Sequence, residues 1–470
     1  MKLKFAFLNL FLGCISLLVI NTKFSVNVLA EELINIELTK EIQKGNFLIG
    51  LKQYLGGEND SFSKKKNIHF MTDQGFLYLQ SSNGVKHKSK QIKITWSNLS
   101  IKNPEIIERI VFGPFSSFES AKKQAEKLQS RGFETTIAYP KYWEVWIPFQ
   151  EDLPEFELES KIYRKIKNIQ ITPFLNNEYT SIKLEGPIHI YSDEDIKIND
   201  VSFGKNFYLI QDSYGTWTLI QKIKFDEYLE GVLPHEIGSS SPLEALKAQA
   251  VIALTWGIYN SDRFNMDKYH LCISTQCQVY KPPKVKNEKV QEAIEATSNL
   301  ILTYENKPIN AFYHGSNGGI SATSSESWRM QNYAYFNSTI DGSKSLNKIF
   351  NLPFQNEFEL NKFLDFDKEK FYGSDHSLFR WNKKISSFQI REKLINNKLI
   401  DFDENVLDLK VIERGFSGRA IKLEIQTDNV NKSIVLVKDE IRRVLNFIPS
   451  NLFTINKLSD DLWLLRGGGF

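Results

Sequence analysis

Hydrophobic and polar residues alternate along the first part of the chain, which is the pattern of β-strands that bury one face. The stretches "FLIGLKQYLGG", "IHFMTDQGFLYLQSS" and "KQIKITWSNLSI" show this alternation and are rich in residues that favour strands. The pattern predicts a small β-rich segment over residues 31–104.

The pattern changes to strand, helix, strand, strand in residues 108–149, "ERIVFGPFSSFESAKKQAEKLQSRGFETTIAYPKYWEVWIPF". Ser117 or Ser120 is placed to cap the helix, and Gly132 follows its end. Three apolar positions recur at helical spacing: Ala121, Ala125 and Leu128. This layout predicts a small α/β module inserted at residues 105–152.

The remainder mixes strands and helices. Residues 155–230 are mostly strand-like, and "VLDLKVIERGFSGRAIKLEIQT" predicts two strands around a glycine-rich turn. A helix is predicted from Pro242 to about Tyr259, because "SPLE" forms a capping box with proline at the first helical position. Its apolar stripe consists of Leu243, Leu246, Ala250, Leu254 and Ile258. Strands and helices do not alternate regularly, so we expect an α+β fold, with a β-rich domain and packed helices over residues 160–470.

The N-terminus has the pattern of a secretory signal. Lys2 and Lys4 precede the apolar run "FAFLNLFLGCISLLVI", and Val28 and Ala30 supply small residues for cleavage. Residues 1–30 are therefore predicted to be a signal peptide, with an uncleaved membrane anchor or a lipidation box ending in "FLGC" as the alternatives. No later stretch is apolar enough to span a bilayer. We expect an exported protein of the periplasm or cell envelope, soluble or tethered by its N-terminus.

Composition narrows the function classes. The 470 residues are 41% hydrophobic and 24% charged, which suits two or three domains with sizeable cores. The formal net charge of +3 is nearly balanced, so we expect no nucleic acid partner. Only Cys272 and Cys277 remain after the predicted cleavage, too few for a disulfide scaffold in a chain of this length.

One acidic residue stands just before the predicted helix, in "GVLPHEIGSSSPLEALKAQA". Glu236 lies five residues before the predicted cap, in a loop bounded by Pro234 and Gly238. This spacing makes it neither a first-turn cap nor an i,i+4 helix partner. From composition alone, a loop glutamate is ordinarily solvated, and a catalytic carboxylate is the alternative.

Several motifs, in order along the chain, resemble the SpoIID/LytB family, the stage II sporulation protein D type. The principal one is "FDEYLEGVLPHEIGSSSPLEALKAQAVIALTWGIYN". Others are "HLCISTQCQVY", "VQEAIEATSNLILTYENKPINAFYHGSNGG", "SESW", "FRWNKKIS", "ERGFSGRAIKL", "IRRVL" and "SNLFTI". The stretches "VFGPFSSFESAKKQAEKLQSRGF" and "YWEVWIPF" resemble the sporulation-related repeat (SPOR) domain, which binds peptidoglycan glycan strands that lack stem peptides. An unrelated α/β insertion is the alternative for that module.

The resemblance implies a peptidoglycan lytic transglycosylase, with Glu236 matching the glutamate of the family's Pro-x-Glu motif. Such an enzyme cleaves between N-acetylmuramic acid and N-acetylglucosamine without water and leaves a 1,6-anhydro end. One carboxyl group serves as general acid and then as general base, since the first step leaves it deprotonated. The alternative is a non-catalytic peptidoglycan-binding protein that stimulates a cell-wall amidase. A hydrolase is a third possibility and requires a second carboxylate near Glu236; Asp226 and Glu230 are nearby in sequence, but neither is placed by a motif.

The same resemblance implies further site residues. Zinc is implied near "HLCISTQCQVY", where His270, Cys272 and Cys277 offer ligands of the right type, with a Cys272–Cys277 disulfide or free thiols as alternatives. The turn in "FYHGSNGG" is expected to present donors to sugar groups. The expected substrate-binding residues are His235, Gln278, Tyr280, His314, Ser316, Asn317, Gly318 and Gly319.

Two further expectations concern the last part of the chain. Arg414, Ser417 and Arg419 of "ERGFSGRA" are expected to brace the fold rather than contact substrate. The final "LWLLRGGGF" stops where the family usually continues into Gly-His-Gly-Val-Gly-x-Ser-Gln, so the catalytic domain is expected to be truncated. This departure favours the amidase-stimulating alternative.

Overall fold

The computed structural model describes residues 4–6, 38–57, 67–150, 160–177, 179–283, 285–354, 356–429 and 433–470. The predicted signal peptide lies outside these residues, except that the backbone of β1 (Lys4–Ala6) pairs antiparallel with β17 (Ile301–Tyr304). None of the helices within the described ranges is long and apolar enough to cross a membrane.

A seven-stranded sheet forms one wall of the main core. In spatial order its strands are β16 (Leu271–Cys272), β2 (Asn46–Leu55), β15 (Trp217–Lys224), β14 (Asn206–Gln211), β11 (Ile188–Tyr191), β4 (Leu77–Ser81) and β5 (Lys86–Ser89). All neighbours are antiparallel except β16, which runs parallel to β2. The predicted alternation is present in the burial pattern, because in β4 the first, third and fifth side chains are buried.

A second, eight-stranded sheet supplies the other wall and the small module. It contains β10 (Ser181–Lys183), β9 (Ser160–Asn176), β6 (Gln91–Phe115), β3 (Asn67–Met71), β12 (Lys197–Ile198) and β13 (Val201–Ser202), with β8 (Trp143–Pro148) on β6 and β7 (Thr136–Ala138) on β8. The predicted order of strand, helix, strand, strand is confirmed. However, β6 runs without interruption through residues 104 and 105, so the module shares a sheet with the β-rich segment.

Ten helices are described. They are α1 (38–43), α2 (Phe118–Gln129), α3 (Phe225–Glu236), α4 (Leu243–Tyr259), α5 (Glu288–Ala296), α6 (Ser324–Ser327), α7 (Leu346–Ile349), α8 (Glu357–Asp365), α9 (Ser387–Asn396) and α10 (Asp439–Val444). The predicted cap of α2 is confirmed, since the Ser117 side chain accepts from the Ser120 backbone N–H at 3.2 Å. Helices α3, α4 and α5 pack against the main core, where Tyr228, Leu246 and Ala293 are fully buried.

Two local predictions around α3 and α4 were wrong. Glu236 is the last residue of α3, not a loop residue, and Pro234 lies inside that helix. The capping box does not form, because Pro242 occupies the N-cap position and the Ser241 hydroxyl donates back to the Ile237 carbonyl at 2.6 Å. A proline in the last turn removes only one backbone donor, and burial of the preceding turn at Val232 and Leu233 maintains the helix.

Further small sheets are formed mainly by the last part of the chain. They are β1–β17–β18 (Lys307–Pro308), β19 (Trp381–Ser386)–β24 (Leu462–Gly467)–β23 (Phe453–Ser459) and β20 (Val406–Arg414)–β21 (Ala420–Thr427)–β22 (Ser433–Val437). The predicted pair of strands around a glycine-rich turn corresponds to β20 and β21. This part contacts the module at α2, where Asp439 accepts from the Ser117 and Ser120 hydroxyls, both at 2.8 Å. The irregular mixture of helices and strands is consistent with the expected α+β class.

Candidate active site

Glu236 is held at the end of α3 by a backbone donor and lies beside a tyrosine hydroxyl. Its Oε1 atom accepts from the Val279 backbone N–H at 2.9 Å, and the Tyr313 hydroxyl interacts with the same carboxyl group. The side chain is half-buried. Because α3 buries Tyr228, Val232 and other apolar side chains in the main core, the carboxyl group is anchored to a rigid element.

Gln278 connects the surroundings of this glutamate. Its side chain is 1% exposed, its Oε1 accepts from the Tyr228 hydroxyl at 3.0 Å, and its Nε2 donates to the Ala253 carbonyl at 3.2 Å. Its side chain also interacts with the Tyr313 hydroxyl. The structure therefore places Gln278, an expected substrate ligand, beneath the site, where it positions Tyr313 and connects α3 to α4.

The two tyrosines of this network remain protonated donors. Burial and the charge of Glu236 raise the pKa of Tyr313 well above its usual value, and burial does the same to the pKa of Tyr228. Tyr280, another expected substrate residue, is 3% exposed and stacks on Tyr228 at 5.5 Å between ring centroids. A Cβ on Gly231 would lie 2.4 Å from the Tyr280 ring, so this position of α3 requires glycine. Tyr280 is thus a core aromatic residue.

His235 has a different environment from Glu236. It is exposed, and its Nδ1 donates to the Gly231 carbonyl at 2.9 Å, which is a contact within α3. This bond leaves Nε2 as the nitrogen able to accept from a ligand at the surface.

The glycine-rich turn is close in sequence to Tyr313 and is fixed by the end of the chain. Gly318 and Gly319 have φ angles of 68° and 90°, which favour glycine, and a Cβ on Gly318 would lie 2.5 Å from the Gly468 backbone. Asn317 donates to Asp341 at 2.7 Å and accepts from the Gly319 N–H at 2.8 Å. Most polar groups of the turn are therefore already engaged within the protein.

Ser316 and His314 complete this turn. The Ser316 side chain is 9% exposed, and its carbonyl accepts from the Phe470 N–H at 2.8 Å. His314 is exposed at the surface, and local desolvation and the charge of Arg419 lower its pKa. His314 is thus the neutral, accessible member of the turn at neutral pH.

The bracing role expected of "ERGFSGRA" agrees with the contacts. Arg419 donates to the carbonyls of Asn317 and Ile320, both at 3.1 Å, and to the Ser417 hydroxyl at 3.0 Å. Burial lowers the pKa of Arg419 to about 10. Arg414 donates to the carbonyls of Gly418 and Phe453, both at 2.9 Å. Arg419 therefore holds the glycine-rich turn, and Arg414 holds the β20–β21 turn against β23.

The residues expected to bind zinc are engaged otherwise. Cys272 and Cys277 form a disulfide bond, which was the alternative to zinc. His270 is 1% exposed; its Nδ1 accepts from the Leu48 N–H at 2.8 Å and its Nε2 donates to the Leu38 carbonyl at 3.0 Å. Among the described residues, no group of three or more His, Cys, Asp or Glu side chains is suited to hold a metal ion. This donor set does not fit zinc.

Sequence reasoning missed Tyr313 and Tyr228 as site residues. Both lie within motifs quoted above, but no local pattern distinguishes a tyrosine that bonds to a carboxylate from one that fills a core. Tyr313 is 77 positions from Glu236 in the printed sequence, so only the folded chain brings the two together.

Two family models match separate parts of the chain. Residues 213–304 match SpoIID, described as stage II sporulation protein, and residues 322–470 match a domain of unknown function, DUF8618. Glu236 and Gln278 lie in the first match, whereas Tyr313 and the turn at 314–319 lie between the two.

Three curated relatives share segments with this chain. The amidase enhancer of Bacillus subtilis (strain 168) is 38% identical over 100 residues, which are 21% of this chain and 13% of that protein. Stage II sporulation protein D of the same organism is 30% identical over 124 residues, 23% of this chain and 36% of that protein. An uncharacterized protein of Brachyspira hyodysenteriae is 33% identical over 108 residues, 22% of this chain and 28% of that protein.

The matches thus span between 13% and 36% of the length of these relatives. Residues 213–304 of this chain are therefore similar to the SpoIID family.

Proposed function

We propose that this protein is an exported peptidoglycan lytic transglycosylase in which Glu236 is the general acid and then the general base. The observation that carries the proposal is the position of this carboxyl group, which accepts from the Val279 N–H at the end of a buried helix and lies beside the Tyr313 hydroxyl. The Glu236 carboxyl group first protonates the glycosidic oxygen. The resulting carboxylate then accepts the proton of the muramic acid 6-hydroxyl as that oxygen attacks the anomeric carbon.

These two groups assist the first step and orient the carboxyl group for the second. The Val279 N–H fixes Oε1, and polar donors beside the carboxylate stabilise the charge that the first proton transfer leaves. Neither donor is itself consumed. Because the pKa of Tyr313 is raised, its hydroxyl stays protonated throughout the reaction.

The geometry favours a single carboxylate over the pair that a hydrolase requires. Asp226 lies ten residues before Glu236 on α3, which is about 15 Å along the helix axis. Glu230 lies about 9 Å along the axis and about 120° around it, and it forms an ion pair with Lys286 at 3.5 Å. Burial and the charge of Glu230 raise the pKa of Asp226, so these two acids interact with each other.

The experiment is product analysis on purified glycan strands without stem peptides. The protein should release 1,6-anhydromuramic ends, and Glu236→Gln should abolish release while strand binding persists. Reducing ends would instead identify a hydrolase. Glu230→Gln is the matched control, because it alters another carboxylate of the same helix and should leave the product unchanged.

A second candidate function is a non-catalytic peptidoglycan-binding protein that stimulates a cell-wall amidase. The likeness to a protein named amidase enhancer supports it. The same preparations separate the two functions, since a stimulating protein releases no sugar product yet accelerates an added amidase. That acceleration should survive Glu236→Gln.

The SPOR-like module at residues 105–152 is proposed to bind the same strands. Its order of elements supports this assignment, but glycan binding is the property to be measured. Strand binding by the whole protein with and without substitutions on β8 is the appropriate test.

A further inference from the structure

Gln249 has an unusual environment on α4. Its side chain is 7% exposed, and its Nε2 atom is buried without a hydrogen-bond partner in the ranges that the structure describes. Buried side-chain amides are nearly always paired, because an unpaired buried donor loses its hydrogen bonds to water without replacement. An orphaned donor therefore calls for a partner, and its place in the fold decides whether that partner is a ligand.

Helix geometry shows what this side chain lies beside. Positions 249, 253 and 260 share one face of α4. Two contacts identify the neighbours of that face: Asn260 Nδ2 donates to Asn310 Oδ1 at 3.1 Å, and the Ala253 carbonyl accepts from Gln278 at 3.2 Å. Through Gln278, whose neighbour Val279 donates to Glu236, this face of α4 is connected to the candidate active site.

Gln249 lies one turn beyond these contacts, about 6 Å nearer the start of the helix than Ala253. The start of α4 is joined to Glu236 by the short segment 237–242. One further turn along the same face, Ala245 is exposed. This face of α4 thus changes from buried at Gln249 to exposed at Ala245, next to the segment that leads back to Glu236.

We infer that Gln249 is a substrate-binding residue whose amide N–H donates to a neutral oxygen of an amino sugar, either an acetamido carbonyl or a ring hydroxyl. This inference rests on the proposed function. An amide nitrogen is a donor only, so it selects an acceptor, and its neutrality suits an uncharged sugar group. The rigid helix fixes the donor before substrate arrives, which reduces the entropy lost on binding.

Asn260 shows how a structural amide on the same face differs. Its Nδ2 donates to the Trp256 carbonyl at 3.0 Å as well as to Asn310, and its Oδ1 accepts from Arg263 at 2.8 Å. An amide of this kind stabilises the fold, so its replacement should lower the melting temperature. The two positions therefore form a matched pair.

The test compares Gln249→Met with Asn260→Leu in the Glu236→Gln protein, which binds strands without cutting them. We expect Gln249→Met to bind stem-peptide-free glycan roughly three- to tenfold more weakly, the effect of one lost hydrogen bond. Its melting temperature should be unchanged or higher, since an unpaired buried polar group is removed. Asn260→Leu should lower the melting temperature and retain affinity below it.

Strands with the acetyl groups removed distinguish the two acceptors. If the acetamido carbonyl is the partner, these strands should bind the Gln249 protein more weakly, and Gln249→Met should cause no further loss. If a hydroxyl is the partner, Gln249→Met should weaken both kinds of strand equally. Either result supports the inference.

Two results overturn it alone: unchanged affinity of Gln249→Met for strands that the Gln249 protein binds, or a fall in melting temperature matching that of Asn260→Leu. If the protein with Gln249 neither binds nor cleaves strands, the proposed function fails and the inference fails with it.

Discussion

Replacing Tyr313 by phenylalanine removes one hydroxyl group and retains the aromatic ring. That hydroxyl interacts with both Glu236 and Gln278, and its raised pKa keeps it protonated, and so able to donate, at neutral pH. A hydrogen bond to a charged group contributes about 1.5–3 kcal/mol, and about 1.4 kcal/mol changes a rate tenfold. We therefore expect Tyr313→Phe to lower kcat roughly 10- to 150-fold, measured as release of 1,6-anhydromuramic ends. KM should change little, because the hydroxyl is bonded to protein groups.

Tyr228→Phe is the control for this experiment. Its hydroxyl donates to Gln278 at 3.0 Å from a fully buried ring, so its loss should cost about 1 kcal/mol of folding free energy and reduce kcat far less. Thermal melts of both variants separate unfolding from a catalytic effect. Wild-type kcat in Tyr313→Phe, or an equal reduction in the two variants, would show that the hydroxyl does not orient Glu236.

Three further predictions concern stability. Reducing the Cys272–Cys277 disulfide should lower the free energy of unfolding by about 2 kcal/mol, the value expected for such a short loop. A denaturant titration with and without reductant measures this change, and equal midpoints would contradict it. Burial and the charge of Asp212 raise the pKa of Asp267 from 3.8 to about 7. The folded state therefore binds this proton more tightly, and stability should fall as pH rises from about 4 to about 7, a slope that Asp267→Asn should reduce. Arg419→Met should lower the free energy of unfolding by more than about 2 kcal/mol in a thermal or denaturant melt, because two backbone carbonyls lose their donor. A smaller loss would argue against the bracing role of Arg419.

Local sequence patterns predicted much of the secondary structure, because strand alternation and helix capping depend on residues only a few positions apart. Alternation of apolar residues identified the β-rich segment, and Ser117 together with the spacing of Ala121 and Ala125 identified α2. The same rules misplaced Glu236. A proline four positions before Gly238 resembles the end of a helix, yet burial of the preceding turn continued α3 through it.

The candidate site was predictable only in part. The motif resemblance identified Glu236, Gln278 and the turn at 314–319, but it could not assign their contacts. Gln278 was expected to face substrate and instead lies at 1% exposure beneath Tyr313. Zinc was expected near His270, but Cys272 and Cys277 form a disulfide and both ring nitrogens of His270 are hydrogen-bonded within the protein. The spacing of potential ligands in the sequence does not reveal which partners the fold supplies.

By itself, the sequence determined the α+β class, the helix that follows Glu236 and the identity of one acidic residue with family support, since each depends on neighbours within a few turns or on a contiguous motif. The tertiary structure alone decided that Val279 and Tyr313 would lie against that residue, that Gln278 would link α3 to α4 and that Gln249 would be left without a partner among the described residues. These facts depend on contacts between residues that are distant along the chain. Such contacts form only when burial of the shared core brings α3, α4 and the segment at 310–314 together.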